Sequence, residues 1–177
     1  MVSAALQPIV TGLFANSPFL EGQLNGFQSY RGYVWTKTDN DRTGILRSMV
    51  GENFSFEEYV DYALKVPVYS IIRNGNYINC LDYNFEDLMN NKSHEIKAEE
   101  ITLDDWTDHL STIFTEVRLK TYIEMRGADA GSYRSLCALP AFWAGILYCS
   151  DSLEESISII KEWNFEEIIS FRNSVFK

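Results

Sequence analysis

Val68-Tyr69-Ser70-Ile71-Ile72-Arg73, then Asn74-Gly75, then Asn76-Tyr77-Ile78-Asn79-Cys80 is the stretch that decides the fold class. Two runs rich in β-branched and aromatic residues flank an Asn-Gly pair, whose tolerance of positive φ suits a two-residue hairpin turn. The stretch predicts two antiparallel strands. Helix starts surround it, each a capping box or close relative in which a side-chain oxygen accepts from a backbone N–H and an acid three residues on reaches back. They are Ser55-Phe56-Glu57-Glu58, Thr102-Leu103-Asp104-Asp105, Ser152-Leu153-Glu154-Glu155 and Asn164-Phe165-Glu166-Glu167. Asn84 to Met89 reads as a short helix and Asn90 to Glu100 as a polar surface connection. Strands and helices in this order, with no internal repeat, predict α+β: antiparallel strands with packed helices.

Towards the N-terminus, Ala4 to Phe14 carries Ala5, Leu6, Ile9, Val10 and Leu13 at spacings of three and four, which predicts a helix in need of a core. Asn16 to Gly26 then turns to Asn, Ser, Pro and Gly, a loop long enough to carry ligand contacts. Towards the C-terminus, Leu119 to Arg126 alternates: Leu119, Thr121, Ile123 and Met125 on one face, Lys120, Tyr122, Glu124 and Arg126 on the other. That predicts a single strand with Glu124 and Arg126 side by side, followed by Gly127-Ala128-Asp129 where the chain can turn. Two readings of the pair are open. A carboxylate beside a guanidinium can hold a divalent cation and a phosphate, or form a solvated ion pair contributing about 1 kcal/mol or less. Ala138 to Tyr148, with Phe142, Trp143 and Leu147, reads as a helix packed in the core.

The chain has 177 residues and 46% hydrophobic content, enough for a core of its own. With 25 acidic against 15 basic residues, its net charge of −10 repels a phosphate backbone, which argues against nucleic acid as a partner. No apolar run reaches the roughly 20 residues needed to span a bilayer, and no basic-then-apolar leader opens the sequence, so the expectation is a cytoplasmic chain with no membrane partner. Cys80, Cys137 and Cys149 form no CxxC pair and suit reduced thiols. His94 and His109 are too far apart in sequence for a local zinc pair.

A family resemblance runs almost from end to end. Ala5-Leu6-Gln7-Pro8-Ile9, Leu13-Phe14-Ala15-Asn16-Ser17-Pro18-Phe19, Asn25-Gly26-Phe27, Ser29-Tyr30-Arg31, Thr38-Asp39-Asn40-Asp41-Arg42-Thr43-Gly44 and Tyr59-Val60-Asp61-Tyr62-Ala63-Leu64 open it. Asp108-His109-Leu110-Ser111-Thr112-Ile113-Phe114, Glu116-Val117-Arg118-Leu119-Lys120, Tyr122-Ile123-Glu124-Met125-Arg126-Gly127-Ala128-Asp129 and Leu136-Cys137-Ala138-Leu139-Pro140-Ala141-Phe142-Trp143 continue it. In this order the strings resemble the glutamate–cysteine ligases of proteobacteria and plants. The resemblance implies that residues 1–177 are the middle to later part of a catalytic domain in a glutamine-synthetase-like carboxylate–amine ligase fold.

Such ligases join the γ-carboxyl of glutamate to the amine of cysteine through an acyl phosphate made from ATP, the first step of glutathione synthesis. The resemblance implies Glu124 as a Mg2+ ligand, Arg126 as a catalytic contact to the ATP phosphates, Arg31 on a carboxylate of substrate glutamate and Tyr69 in the amino-acid pocket. Asn16 and Ser17 are further candidates for shaping that pocket. Read from residue type alone, Arg31 pairs with a surface acid, Tyr69 fills a gap, and Asn16 and Ser17 cap or turn the chain. The family's other magnesium-binding acids belong to an N-terminal segment with no counterpart here, so a complementing N-terminal chain is the implied partner beside glutamate, cysteine and ATP. The alternative is a catalytically inactive remnant with a binding or structural role, and a third reading keeps the enzyme class with another acceptor amine. An exposed apolar surface on Ala4 to Phe14 and on the sheet edges would favour a complemented ligase. Cys80 and Cys137 match positions of redox-regulating disulfides in plant members, but the partner expected near Lys92 is absent.

Overall fold

A computed structural model describes residues 1–51 and 54–177. Among these, the order is α1 (Val2–Leu13), β1 (Phe19–Leu20), β2 (Gln23–Leu24), α2 (Tyr30–Trp35), β3 (Thr43–Gly44), α3 (Phe56–Lys65), β4 (Ser70–Arg73), β5 (Asn76–Asn79), α4 (Phe85–Met89), α5 (Leu103–Ser111), β6 (Phe114–Thr115), β7 (Val117–Leu119), β8 (Ile123–Met125), α6 (Tyr133–Leu147), α7 (Ser150–Ile160) and α8 (Phe165–Ser174). The class is α+β. Strands pair two by two, antiparallel as β1–β2, β4–β5 and β7–β8, and parallel as β3–β6.

The β4–β5 hairpin forms where the Asn-Gly pair predicts it, with φ of 53° at Asn74 and 78° at Gly75. Its inner residues Val68, Ile71 and Cys80 join Phe85, Leu88 and Ile96 in a satellite core under α4. Capping boxes close on α3 at Ser55, on α4 at Asn84, on α5 at Thr102 and on α8 at Asn164. Ser152 is the exception. Helix α7 starts three residues earlier, after Cys149, because α6 bends into it at 84° and the joint at Tyr148–Cys149 supplies the break.

The predicted strand Leu119–Arg126 is two strands. The chain turns at Lys120–Tyr122, where the Lys120 N–H donates to the Tyr122 carbonyl at 2.9 Å, and β7 and β8 pair Val117 with Met125, Arg118 with Glu124 and Leu119 with Ile123. Alternation survives a tight reversal because facing residues of an antiparallel pair share a side of the sheet.

The larger core surrounds α1. Val2, Ala4, Ala5, Leu6 and Val10 are buried with Met49, Tyr59, Trp143, Ile160 and Ile168, and α7 and α8 pack against the helix. The apolar surface expected on Ala4 to Phe14 is therefore absent from most of that segment, with Leu13 the exposed residue at 66%. It lies instead on α6 and the β7–β8 turn, where Tyr122, Ile123, Tyr133, Leu136 and Tyr148 are exposed. Helix α6, predicted as a core helix, buries Trp143 and half-buries Leu139, Phe142, Ile146 and Leu147 along one stripe only. No single helix of the described residues is long and apolar enough to cross a membrane.

Candidate functional site

Four arginines converge where α2 meets the β6–β7–β8 region and the C-terminal residues. Each arrives for a local reason. Arg118 is brought inward by its register opposite Glu124 and is nearly buried. Its Nε donates to Glu124 Oε2 at 2.6 Å, and its Nη1 donates to the carbonyls of Ser111 and Ile113. Arg126, just past β8, donates from Nη1 to the other oxygen of Glu124 at 3.2 Å. Arg172, on α8, donates from Nε to Glu116, and both side chains are largely buried. Arg31, at the first turn of α2, donates to the carbonyls of Gly127 at 3.0 Å and Arg126 at 2.6 Å.

Between them lies a narrow cleft with about 20 Å³ of free space. Arg31, Arg126 and Glu116 supply its charge, and Trp35, Phe114 and Phe176 its apolar walls. The Arg126 guanidinium lies 5.4 Å from the Phe114 ring centre, and that of Arg31 lies 5.9 Å from Trp35, so aromatic faces support both cations. Backbone approaches close here. A Cβ on Gly32 would sit 2.5 Å from the Phe176 ring, and one on Gly127 would sit 2.2 Å from Gln7 Nε2.

Electrostatics follow from this crowding. Burial pushes the Glu124 carboxyl up, but the hydrogen bond and charge of Arg118, with the charge of Arg126, outweigh it and hold the group below the usual carboxylate range. Burial pushes the Glu116 carboxyl above its ordinary value against the pull of Arg172 and Arg31. Arg126 is lowered by burial and next by the like charge of Arg118, while remaining charged. Glu116 is held by Arg172, which does not line the cleft, and Glu124 is shared between Arg118, which does not, and Arg126, which does. The two that do line it, Arg31 and Arg126, are suited to a carboxylate or phosphate oxygen.

The sequence candidates divide accordingly. Arg31, Glu124 and Arg126 come together, although residues 31 and 126 are far apart in the chain. Asn16 and Ser17 sit beside them in a supporting position: the Asn16 backbone N–H and the Ser17 hydroxyl both donate to Asp129 Oδ2, at 2.8 and 2.7 Å. Tyr69 does not line this cleft. Its ring covers the buried Arg42 guanidinium, with the Arg42 Cζ 3.6 Å from the ring centre. Glu124 has no carboxylate companions for a metal: no group of three His, Cys, Asp or Glu positioned to hold an ion exists among the described residues. By themselves these residues do not fit a magnesium site, which needs several oxygen ligands in near-octahedral array.

Arg118, Glu116, Arg172 and Asp129 are the site residues that sequence patterning missed. Reading 119–126 as one strand hid Arg118, since only the reversal at 120–122 brings it opposite Glu124. The Glu116–Arg172 pair joins β-region to α8 across 56 positions, a separation for which a single sequence carries no signal.

A family model described as glutamate-cysteine ligase family 2 matches residues 1–175. The chain is 54% identical over 173 residues to the chloroplastic glutamate–cysteine ligase of Solanum lycopersicum, which covers 98% of this chain and 33% of that protein. It is 54% identical over 171 residues to the corresponding protein of Nicotiana tabacum and 52% identical over 171 residues to that of Arabidopsis thaliana, again covering 97% of this chain and 33% of each relative. The chain thus spans about a third of the length of the curated relatives it matches. Their names overturn the cytoplasmic expectation, since all three are chloroplastic. The lack of a leader pattern in a stretch covering a third of such proteins carries no information about compartment.

Proposed function

Because this chain belongs to glutamate-cysteine ligase family 2, we propose that it contributes the arginine-lined part of a catalytic site that ligates the γ-carboxyl of L-glutamate to L-cysteine with ATP. The compartment of the named relatives, the chloroplast, is the one this reading adopts. The parent architecture is a glutamine-synthetase-like carboxylate–amine ligase fold. What carries the reading is the convergence of Arg31 and Arg126 on one cleft in a chain whose net charge is −10.

Activating a carboxylate with ATP gathers negative charge on the carboxylate and on the transferring phosphoryl group. Fixed cations aimed at those oxygens lower the barrier without reorganising. Arg31 holds a carboxylate of glutamate, and Arg126 faces the ATP phosphates. The aromatic walls keep water from competing for either guanidinium. Tyr69, outside the cleft, borders the amino-acid pocket only in an assembled site, and Asn16 and Ser17 shape the pocket through their ties to Asp129. Glu124 is the one carboxylate here that would hold magnesium, whose charge would offset that of the phosphates, and the remaining ligands would come from a complementing N-terminal segment.

The test is ATP turnover with glutamate, cysteine and Mg2+, on the purified chain and on a mixture with the N-terminal segment of a full-length relative. Turnover in the mixture that is lost in Glu124→Gln and in Arg126→Ala supports a split ligase. The alternative, an inactive remnant, is favoured by the engagement of both Glu124 oxygens by arginines. Silence in both preparations, with the chain confirmed folded and glutamate still bound, would establish that alternative.

A further inference from the structure

Asp129 lies two residues beyond Gly127 and is buried, 7% exposed, with no place in the cleft lining. Its carboxylate accepts three hydrogen bonds from residues a hundred or more positions away: the Asn16 N–H and Ser17 Oγ on Oδ2, and Ser29 Oγ on Oδ1 at 2.9 Å. Both hydroxyls pass the interaction on. Ser17 Oγ accepts from the Arg31 N–H at 3.0 Å, and Ser29 Oγ, the N-cap of α2, accepts from the Gly32 N–H at 3.1 Å.

A hydroxyl has one proton and two lone pairs. With both protons committed to Asp129, the lone pairs of Ser17 and Ser29 are turned toward the amides of α2. That helix has six residues, too few to hold itself together, so its direction comes from such ties. Arg31 closes the loop. Its backbone is tied to Asp129 through Ser17, while its guanidinium is tied to the carbonyls of Arg126 and Gly127 on the segment that carries Asp129.

We propose that Asp129 is a positioning residue for the arginine cleft, acting through Ser17, Ser29 and α2 to hold the Arg31 guanidinium beside Arg126 for a substrate carboxylate. The proposal rests on the reading of the cleft given above and adds to it the residue that sets its geometry. A carboxylate is needed there because all three groups facing it are donors. An amide in its place presents its own N–H groups to at least one of them, so asparagine restores the arrangement only in part.

The experiment titrates L-glutamate into the 177-residue chain by calorimetry, using wild type, Arg31→Ala, Asp129→Asn, Asp129→Ala and the double variant Arg31→Ala/Asp129→Ala, each checked for folding by circular dichroism. Asp129→Ala is expected to weaken binding roughly 10-fold and Asp129→Asn less, while adding Asp129→Ala to Arg31→Ala changes affinity less than about 2-fold, because coupled residues are non-additive. Equal losses in both backgrounds, or a lowered melting temperature with unchanged affinity, would overturn the positioning role and leave the cleft reading standing. Equal binding by wild type and Arg31→Ala would sink the cleft reading, and this inference with it. The ¹⁵N resonances of the Arg31 guanidinium give a ligand-free check that also serves if Asp129→Ala does not fold. In Asp129→Asn they are expected to shift and broaden, and sharp, unshifted resonances would count against the proposal.

Discussion

Gln7 is fully buried on α1, and neither its amide nitrogen nor its amide oxygen has a hydrogen-bond partner among the described residues. A buried polar group left unmade costs about 1–3 kcal/mol, whereas an apolar group of the same shape costs nothing of the kind. Gln7→Met is therefore expected to stabilise the chain by about 1 kcal/mol, read as a higher urea midpoint at unchanged slope. A lower midpoint would mean that the amide is satisfied in solution. His109 gives a pH prediction. Its Nε2 lies 2.8 Å from the Ala63 carbonyl, its ring stacks on Phe85, and burial, aided by the charge of Arg42 and opposed by that carbonyl, holds its pKa below the ordinary 6.5. The folded state thus binds fewer protons than the unfolded one just below that value. Stability from this residue is complete above the unfolded pKa and declines as pH falls through the window beneath it. Denaturation midpoints at pH 7 and pH 5 are expected to differ more for wild type than for His109→Gln. The difference between the two proteins isolates His109 from Glu116, whose raised carboxyl acts in the opposite sense. Equal differences would refute the assignment.

At the scale of elements, local chemistry placed the boundaries wherever a cap or a turn was complete. Asp105 illustrates the strength of such a signal, since it closes the box on Thr102 and also takes a two-pronged pair from Arg73 of β4. Thr102→Ala loses the cap alone and is expected to cost about 1 kcal/mol. Asp105→Ala also strands the arginine, and is expected to cost about 2 kcal/mol, a figure discounted because Arg73 is a third exposed. Thermal melts of the two variants test the ordering, and equal losses would mean that the ion pair contributes nothing beyond the cap. Where the signal was incomplete, the boundary moved. Ser152 had the right spacing for a box, yet α7 begins at Ser150, because the bend from α6 decides where the helix can start.

Taken as a whole molecule, the chain buries α1 at its centre and leaves a large apolar face on α6 and the β7–β8 turn. Tyr148 is 90% exposed there, lining one surface with Tyr122 and Ile123. An exposed face of this kind marks a surface suited to covering by another segment, and under the proposed function that segment belongs to the rest of the ligase. Ile123→Lys is expected to abolish turnover in the complemented mixture and to reduce binding of a hydrophobic dye, while shifting stability by no more than about 0.5 kcal/mol. Full turnover in the variant would move the docking surface elsewhere.

The hairpin at Asn74-Gly75, the capped starts of α3, α5 and α8, and the class of the fold were determined by the sequence itself, because each depends on residues within a few positions of one another. Family motifs singled out Arg31, Glu124 and Arg126 as candidates. Their meeting was not legible, since it depends on α2, β8 and the Asp129 network closing across about a hundred residues. Nor did the sequence show that the Tyr69 ring would cover the buried Arg42 guanidinium, outside the arginine cleft. Only the tertiary structure decided which charges neutralise one another, because pairing across a fold is set by the packing of distant elements, and pattern along the chain records only what its neighbours require.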